Sequence, residues 1–304
     1  MKSILIVGSG ALATAYATQL SQCNDIQLQM FCEWQDGVDA IREHGIRCHF
    51  QDEVLQTPPI HASTEPSTIQ PADLMLVLLK SWQTKEVVSK LADKLQPDGV
   101  CLTFQNGLGN LQILRDIFPK EQVIAGTTMI GAELLTPGEV SINFFGGMQV
   151  EDHPACEWIL PIFKQSGFNI QVHPDLQSVL WGKLLINAVV NPLTAIFHQR
   201  NGVLLSTIES QALMDAVIDE IMTLVIRKQI NLPYPDAKQQ VRKAIQQTAE
   251  NLSSMAQDWQ RKAPTEIDNI TGAILNEAEA YNIDMPVNRT IYQLIKAGIA
   301  ARNL

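Results

Sequence analysis

Residues 3–13 read as a strand that breaks at two glycines and restarts as a helix. Residues 3–7 are a short β-branched run of the kind a buried strand carries. Gly8-Ser9-Gly10-Ala11-Leu12-Ala13 follows at once, and the pattern then turns helical through Gln22. Strand, glycine turn and helix in that order form the G-x-G-x-x-G/A fingerprint, with alanine in the third place. Gly8 permits the tight turn, Gly10 lets a pyrophosphate approach the backbone, and Ala13 lets the helix lie close to the sheet. The helix N-terminus presents free N–H groups to the anion. The feature predicts a dinucleotide-binding α/β domain. Its structural alternative is an ordinary glycine-containing turn between a strand and a helix. Lys2, the apolar SILIV and the small residues ALATAYA also imitate a secretory signal. Gly8 and Gly10 interrupt that apolar run, so no leader is expected.

A second strand is expected over 26–31, ending at Cys32-Glu33. An acidic residue about 20 positions past the glycines usually holds the ribose hydroxyls of NAD, whereas a basic one accommodates the 2′-phosphate of NADP. Glu33 therefore leans toward NAD, or is a solvated loop residue. Arg42 and Arg47 are close enough in sequence to meet a phosphate. Residues 46–58 alternate loosely, as a hairpin does. Further strands are expected at 74–79, 100–104 and 123–127, the last trailed by 128–132, with strand-like pieces at 140–144 and 170–172. Helices are expected at 84–95, 110–117 and 157–166. In open α/β sheets, ligands bind beyond the carboxyl ends of strands. Lys80 and Asn106 stand at two such ends, although Lys80 is equally well explained as a surface lysine at a helix start.

Repeated strand-helix alternation predicts a Rossmann-like, doubly wound parallel sheet over residues 1–173. From about residue 175 the strand signals vanish. Helices are expected at 175–190, 194–198, 206–229, 236–260, 265–281 and 288–301, so residues 174–304 read as an all-α domain. Small-molecule sites form where domains meet, which places the expected cleft between these two.

The stretch 181–201, WGKLLINAVVNPLTAIFHQRN, is read as a helix stopping near Asn191-Pro192. Lys183, Asn187 and Asn191 are four apart and share one face. The rest is apolar, as in a buried helix, and an unpaired interior charge is too costly. Either the row lines a cleft with Lys183 as proton donor, or Lys183 snorkels to solvent and the asparagines cap the helix end. Downstream, Asn251, Ser254, Gln257 and Asp258 fall on nearby faces of one long expected helix. After Pro264, Thr265 makes an N-cap and Glu266 favours the helix dipole. That account explains Glu266 without catalysis.

The 304 residues are 46% hydrophobic, enough for two real cores. The net charge of -10 argues against nucleic acid and anionic membranes as partners. No uninterrupted apolar run approaches ~18 residues, so no membrane span is expected. Cys23, Cys32, Cys48, Cys101 and Cys156 are odd in number and scattered, without metal-like spacing. They suggest a reducing cytoplasm and no metal. The helices at 206–229 and 236–260 are either a homodimer face or core.

Six separated motifs then coincide: GSGALA at 8–13, LLKSWQ at 78–83, QNGLG at 105–109, WGKLLINAVVNPLTAIFHQRNG at 181–202, NLSSMAQD at 251–258 and TEID at 265–268. In this order the chain resembles the ketopantoate reductase (2-dehydropantoate 2-reductase) family over nearly its whole length. The resemblance implies NADPH-dependent reduction of 2-dehydropantoate to (R)-pantoate, on the route to pantothenate and coenzyme A. It implies that Lys183 is the general acid and that Glu266 contacts the cofactor and orients Lys183. It implies substrate contacts from Lys183, Asn187, Asn191, Asn201, Asn251 and Ser254. Gly8, Ser9, Gly10, Ala11, Leu12 and Ala13 would take the pyrophosphate, and Lys80, Asn106 and Ala132 would touch the cofactor. One departure stands out. Members that use NADPH commonly carry a basic residue at the end of the second strand, where this chain has Cys32-Glu33-Trp34. The alternative is therefore an NAD-dependent D-2-hydroxyacid dehydrogenase acting on another branched 2-keto acid. A non-catalytic dinucleotide sensor is disfavoured, since a sensor has no need of a proton donor.

Overall fold

The computed structural model describes residues 1–302. These form two compact units. One holds residues 1–105 and 110–176, and the other holds residues 106–109 and 177 onward.

The first unit is built on one sheet. Its strands are β1 (Lys2–Val7), β2 (Ile26–Phe31), β3 (Arg47–Phe50), β4 (Glu53–Gln56), β5 (His61–Ser63), β6 (Ala72–Val77), β7 (Leu95–Thr103), β8 (Val123–Thr136), β9 (Glu139–Val150) and β10 (Ile170–Val172). Its helices are α1 (Ala11–Leu20), α2 (Gln35–His44), α3 (Thr84–Lys90), α4 (Gly109–Ile117) and α5 (Cys156–Gln165). Pairing is parallel from β5 through β2, β1, β6 and β7 to β8. β1 lies between β2 and β6 and is covered on both faces, so it reads as a continuous apolar run. Ile4 and Ile6 pack with Tyr16 of α1 and Phe163 of α5, while Leu5 and Val7 pack with Val87, Val88 and Leu91 on the other face. This is the doubly wound arrangement. Tyr16 closes one face, its ring 4.9 Å from Phe168 and 5.6 Å from Phe104.

The sheet is not parallel throughout. The pieces expected at 123–132 and 140–144 fuse into one long antiparallel hairpin, β8 with β9, turning at Gly138 with φ +73°. β3 continues the sheet parallel to β9, and β4 pairs antiparallel to β3. A Thr-Pro-Gly turn allows this, because Gly138 takes a conformation that a residue with Cβ avoids.

The second unit is helical. It is built around α6 (Leu176–Phe197), followed by a 3₁₀ turn (Asn201–Leu205), α7 (Ile208–Arg227), α8 (Ala237–Gln247), α9 (Ser254–Gln260), a π turn (Asp268–Gly272), α10 (Ala273–Ala280) and α11 (Pro286–Ala301). The expected stop at Asn191-Pro192 does not occur, and α6 runs through the proline. Interior proline costs about 3 kcal/mol. Fully burying a large aliphatic side chain contributes roughly 1.5–3 kcal/mol, and Leu184, Leu185, Val189 and Leu193 are all buried in the core. Burial outweighs the proline. Thr194 Oγ1 donates to the carbonyls of Val190 at 2.7 Å and Asn191 at 3.2 Å, folding its side chain back onto the helix.

α6 is long and apolar enough to cross a bilayer by length and composition alone, but 67% of its most apolar window is buried inside the protein. It is a core helix. The single helix expected over 236–260 is two, broken by Thr248 to Ser253. Ser253 caps α9 by accepting from Ala256 N at 3.1 Å, the local competition that disfavours serine in helix interiors. Thr265 is not an N-cap. It is buried, its Oγ1 has no hydrogen-bond partner, and the π turn that follows has no side-chain cap. α7 commits Met214, Val217, Ile218, Ile221, Leu224 and Val225 to the core of its own unit.

Candidate active site

In the first unit, β1 ends at Val7 and the chain turns sharply. Gly8 N donates to Phe31 O at 2.7 Å, tying the turn to the end of β2. Gly8 has φ +128°, and a Cβ there would lie 2.9 Å from Leu78 O. Both conformation and space require glycine. Gly10 differs. Its backbone is extended, with φ -72°, and a Cβ there would meet no atom within 4 Å. The fold itself does not need glycine at 10, so the open space above its backbone suits an approaching ligand. α1 has no side-chain N-cap, which leaves its first N–H groups for an anion. Ser9 is buried and donates from Oγ to Cys32 Sγ at 2.7 Å, and Trp34 N donates to the same sulfur at 3.3 Å. Ala11 and Leu12 stay half-buried on the rim, while Ala13 packs against the sheet. These residues fit a dinucleotide pyrophosphate.

Lys80 stands just past β6, half-buried, its ammonium 5.8 Å from the ring centre of Trp82. Ala132 is half-buried on β8, opposite Ile142. Glu33, read from sequence either as a ribose contact or as a solvated loop residue, is exposed and paired with Lys90 Nζ at 2.6 Å. Sequence reasoning missed Gln105. Its Nε2 donates to Leu79 O at 2.8 Å and to Thr84 Oγ1 at 2.7 Å, fixing the segment that carries Lys80. Its place before Asn106-Gly107 was the available signal.

In the second unit, Asn106 belongs with the helices. Asn106 Nδ2 donates to Glu266 Oε2 at 3.3 Å. Glu266 is only 7% exposed. It stands two residues before the π turn, its carbonyl accepting from Asn269 N at 3.1 Å and Ile270 N at 3.0 Å, and such turns recur at functional sites. Lys183 shares its field. Burial pulls the Lys183 ammonium down from the usual 10.5 to about 8, and the Glu266 carboxylate opposes that fall. Lys183 keeps part of its surface accessible, so it is neither sealed in nor snorkelling free.

Asn187 is half-buried one turn along α6, and Asn191, a further turn on, is buried with Nδ2 3.4 Å from Ser254 Oγ. Asn251 and Ser254 are exposed. Asn201 is buried and looks inward. Its Nδ2 donates to Thr248 Oγ1 at 3.0 Å, and its backbone N–H to Asn251 O at 2.9 Å. It supports Asn251 rather than presenting its own amide. The structure thus gathers Lys183, Glu266 and Asn106 in one place and links Asn191 with Ser254. A desolvated ammonium beside a carboxylate and amides can donate a proton to a developing oxyanion.

Residues 4–155 match the family described as Ketopantoate reductase PanE/ApbA, and residues 175–299 match its C-terminal part, Ketopantoate reductase PanE/ApbA C terminal. The 2-dehydropantoate 2-reductase of Vibrio cholerae is 30% identical over 298 residues, covering 97% of each chain. That of Archaeoglobus fulgidus is 32% identical, covering 78% of this chain and 79% of the relative. Among solved structures, a PanE/ApbA family ketopantoate reductase from Ralstonia eutropha superposes with a TM-score of 0.93 at 26% identity, covering 99% of this chain and 100% of that one. D-mandelate dehydrogenase bound to NADH and anilino(oxo)acetate superposes with a TM-score of 0.90 at 23% identity, covering 99% and 100%, a likeness of fold.

Proposed function

The chain belongs to the ketopantoate reductase family and is an oxidoreductase; on that premise we propose that it reduces 2-dehydropantoate to (R)-pantoate with NADPH, a cytoplasmic step toward pantothenate and coenzyme A. The observation that carries the reading is Lys183, an ammonium brought to about 8 by burial beside Glu266.

Gly8 to Ala13 would hold the pyrophosphate, with Lys80, Asn106 and Ala132 contributing further contacts to the cofactor. A reduced nicotinamide, when bound, supplies the hydride that converts the keto carbon to an alcohol carbon. As the C=O π bond breaks, its electron pair collects on oxygen, and Lys183 Nζ donates the proton that completes the hydroxyl. Solvent then returns a proton to Lys183. Glu266 keeps enough of Lys183 protonated near neutral pH and orients it, while Asn106 holds the Glu266 carboxylate. Asn187 and Asn191 extend the polar row that a small 2-keto acid needs, and Asn251 and Ser254 face it from α9 and the loop before it, with Asn201 positioning Asn251.

The test is purified protein with NADPH, NADH and a panel of 2-keto acids, followed by nicotinamide absorbance. Highest kcat/KM for 2-dehydropantoate with NADPH is expected. Preference for another branched keto acid would overturn the substrate, and equal or better use of NADH would overturn the cofactor. Lys183→Ala is expected to lose roughly 10²–10⁴-fold in turnover, and near-normal kcat in that variant would remove the general-acid role.

A further inference from the structure

We infer that Lys90 is a cofactor-selectivity residue: by holding the Glu33 carboxylate in an ion pair, it lets a chain with an acidic residue at the end of β2 accept a 2′-phosphorylated dinucleotide. The inference rests on the dinucleotide reading above, not on the identity of the keto acid.

Glu33 stands two residues past the end of β2, the position from which Rossmann folds read the adenosine ribose. Its neighbour Cys32 fastens that position to the glycine turn, because the Cys32 sulfur accepts from Ser9 Oγ at 2.7 Å and from Trp34 N at 3.3 Å. An unpaired carboxylate here would accept from the ribose hydroxyls of NADH and repel a phosphate group of about -1.5 to -2 charges. The carboxylate is not unpaired. Lys90 Nζ, at the end of α3, lies 2.6 Å from Glu33 Oε1. Glu86, one turn earlier on α3, holds the same ammonium at 2.9 Å. Glutamate four residues before lysine is the favoured helical order, so α3 prepositions Lys90 and less side-chain freedom is lost on capturing Glu33. The two carboxylates raise the Lys90 ammonium to about 12, Glu33 contributing most, so it stays charged throughout any assay range.

The pair is exposed, with side chains 43% and 38% accessible. Exposed pairs are weak, so the expected effect is a moderate change in preference. The full-length chain is assayed for kcat/KM and for Kd, by quenching of tryptophan fluorescence, with NADPH and NADH. Lys90→Met is expected to lower the NADPH/NADH ratio about three- to tenfold, through KM and Kd and with little change in kcat. Lys90→Arg should retain the ratio. Adding Glu33→Gln to Lys90→Met should restore it, since no carboxylate is then released. An unchanged ratio in Lys90→Met, or a double variant as impaired as the single, overturns the inference. The Kd ratio is read without substrate, so it stands if 2-dehydropantoate proves the wrong keto acid. The wild-type preference separately tests NADPH as cofactor. Both side chains are at the surface, so thermal unfolding of all variants should match the parent within a degree or two.

Discussion

Asn106 Nδ2 reaches Glu266 Oε2 at 3.3 Å, across 160 positions of sequence. The next residue makes that reach possible. Gly107 has φ +85°, and the backbone of Asn269 stands where its Cβ would be. The Asn-Gly turn is therefore seated directly on the π turn that follows Glu266.

Gly107→Ala should push these two turns apart. The left-handed conformation alone costs about 1–2 kcal/mol, and the collision with Asn269 adds to it. Urea unfolding should register that loss, and kcat should fall more than dinucleotide affinity, because Glu266 moves relative to Lys183 while the glycine turn of the other unit is untouched. Equal losses in kcat and affinity would contradict this account.

The Lys183 ammonium near 8 predicts a pH profile. The protonated form is the acid, so kcat/KM should fall as pH rises through about 8. Glu266→Gln removes the charge that resists the fall in Lys183's pKa, so the descending limb should move to lower pH. Stability follows the opposite trend. Lys183 is depressed when folded and returns to 10.5 when unfolded, so between about 8 and 10.5 the unfolded chain binds more protons. The native protein should gain stability over that window relative to Lys183→Met. Parallel unfolding curves across the window would show the lysine is not desolvated.

Gly8 and Gly10 should separate fold from function. Gly10→Ala meets no protein atom and keeps ordinary backbone angles, so the melting temperature should hold while Kd for the dinucleotide rises about tenfold or more. Gly8→Ala meets Leu78 O at φ +128° and should destabilise by about 2 kcal/mol or more. A Gly10→Ala variant that binds normally would remove the pyrophosphate from this turn.

Glu220 caps a helix from a distance. On α7, its carboxylate accepts from Val287 N at 2.8 Å and Asn288 N at 2.9 Å, and from Asn288 Nδ2 at 2.8 Å. It therefore serves the N-terminus of α11, which has no cap side chain of its own. Glu220→Ala should cost about 1–2 kcal/mol in denaturant unfolding, with kcat unchanged.

Sequence alone determined the elements whose signals are local. The glycine turn, the parallel strands flanking it, the span of β2 and the loss of strand signals near 173 were all legible, because strand periodicity and glycine conformation depend on near neighbours. Sequence also brought Lys183, Asn187 and Asn191 to one face, since four-residue spacing is a property of any helix. Tertiary structure decided the rest. α6 passes through Pro192 because core burial exceeds the cost of a missing N–H. Glu266 became more than a helix-start residue through Asn106 and Lys183, partners 160 and 83 positions away in sequence. Glu33 was met by Lys90 of α3, which no pattern around β2 could foretell. Spacing along a chain records which groups share a face; only packing sets which opposite charge each one meets, and at what depth from water.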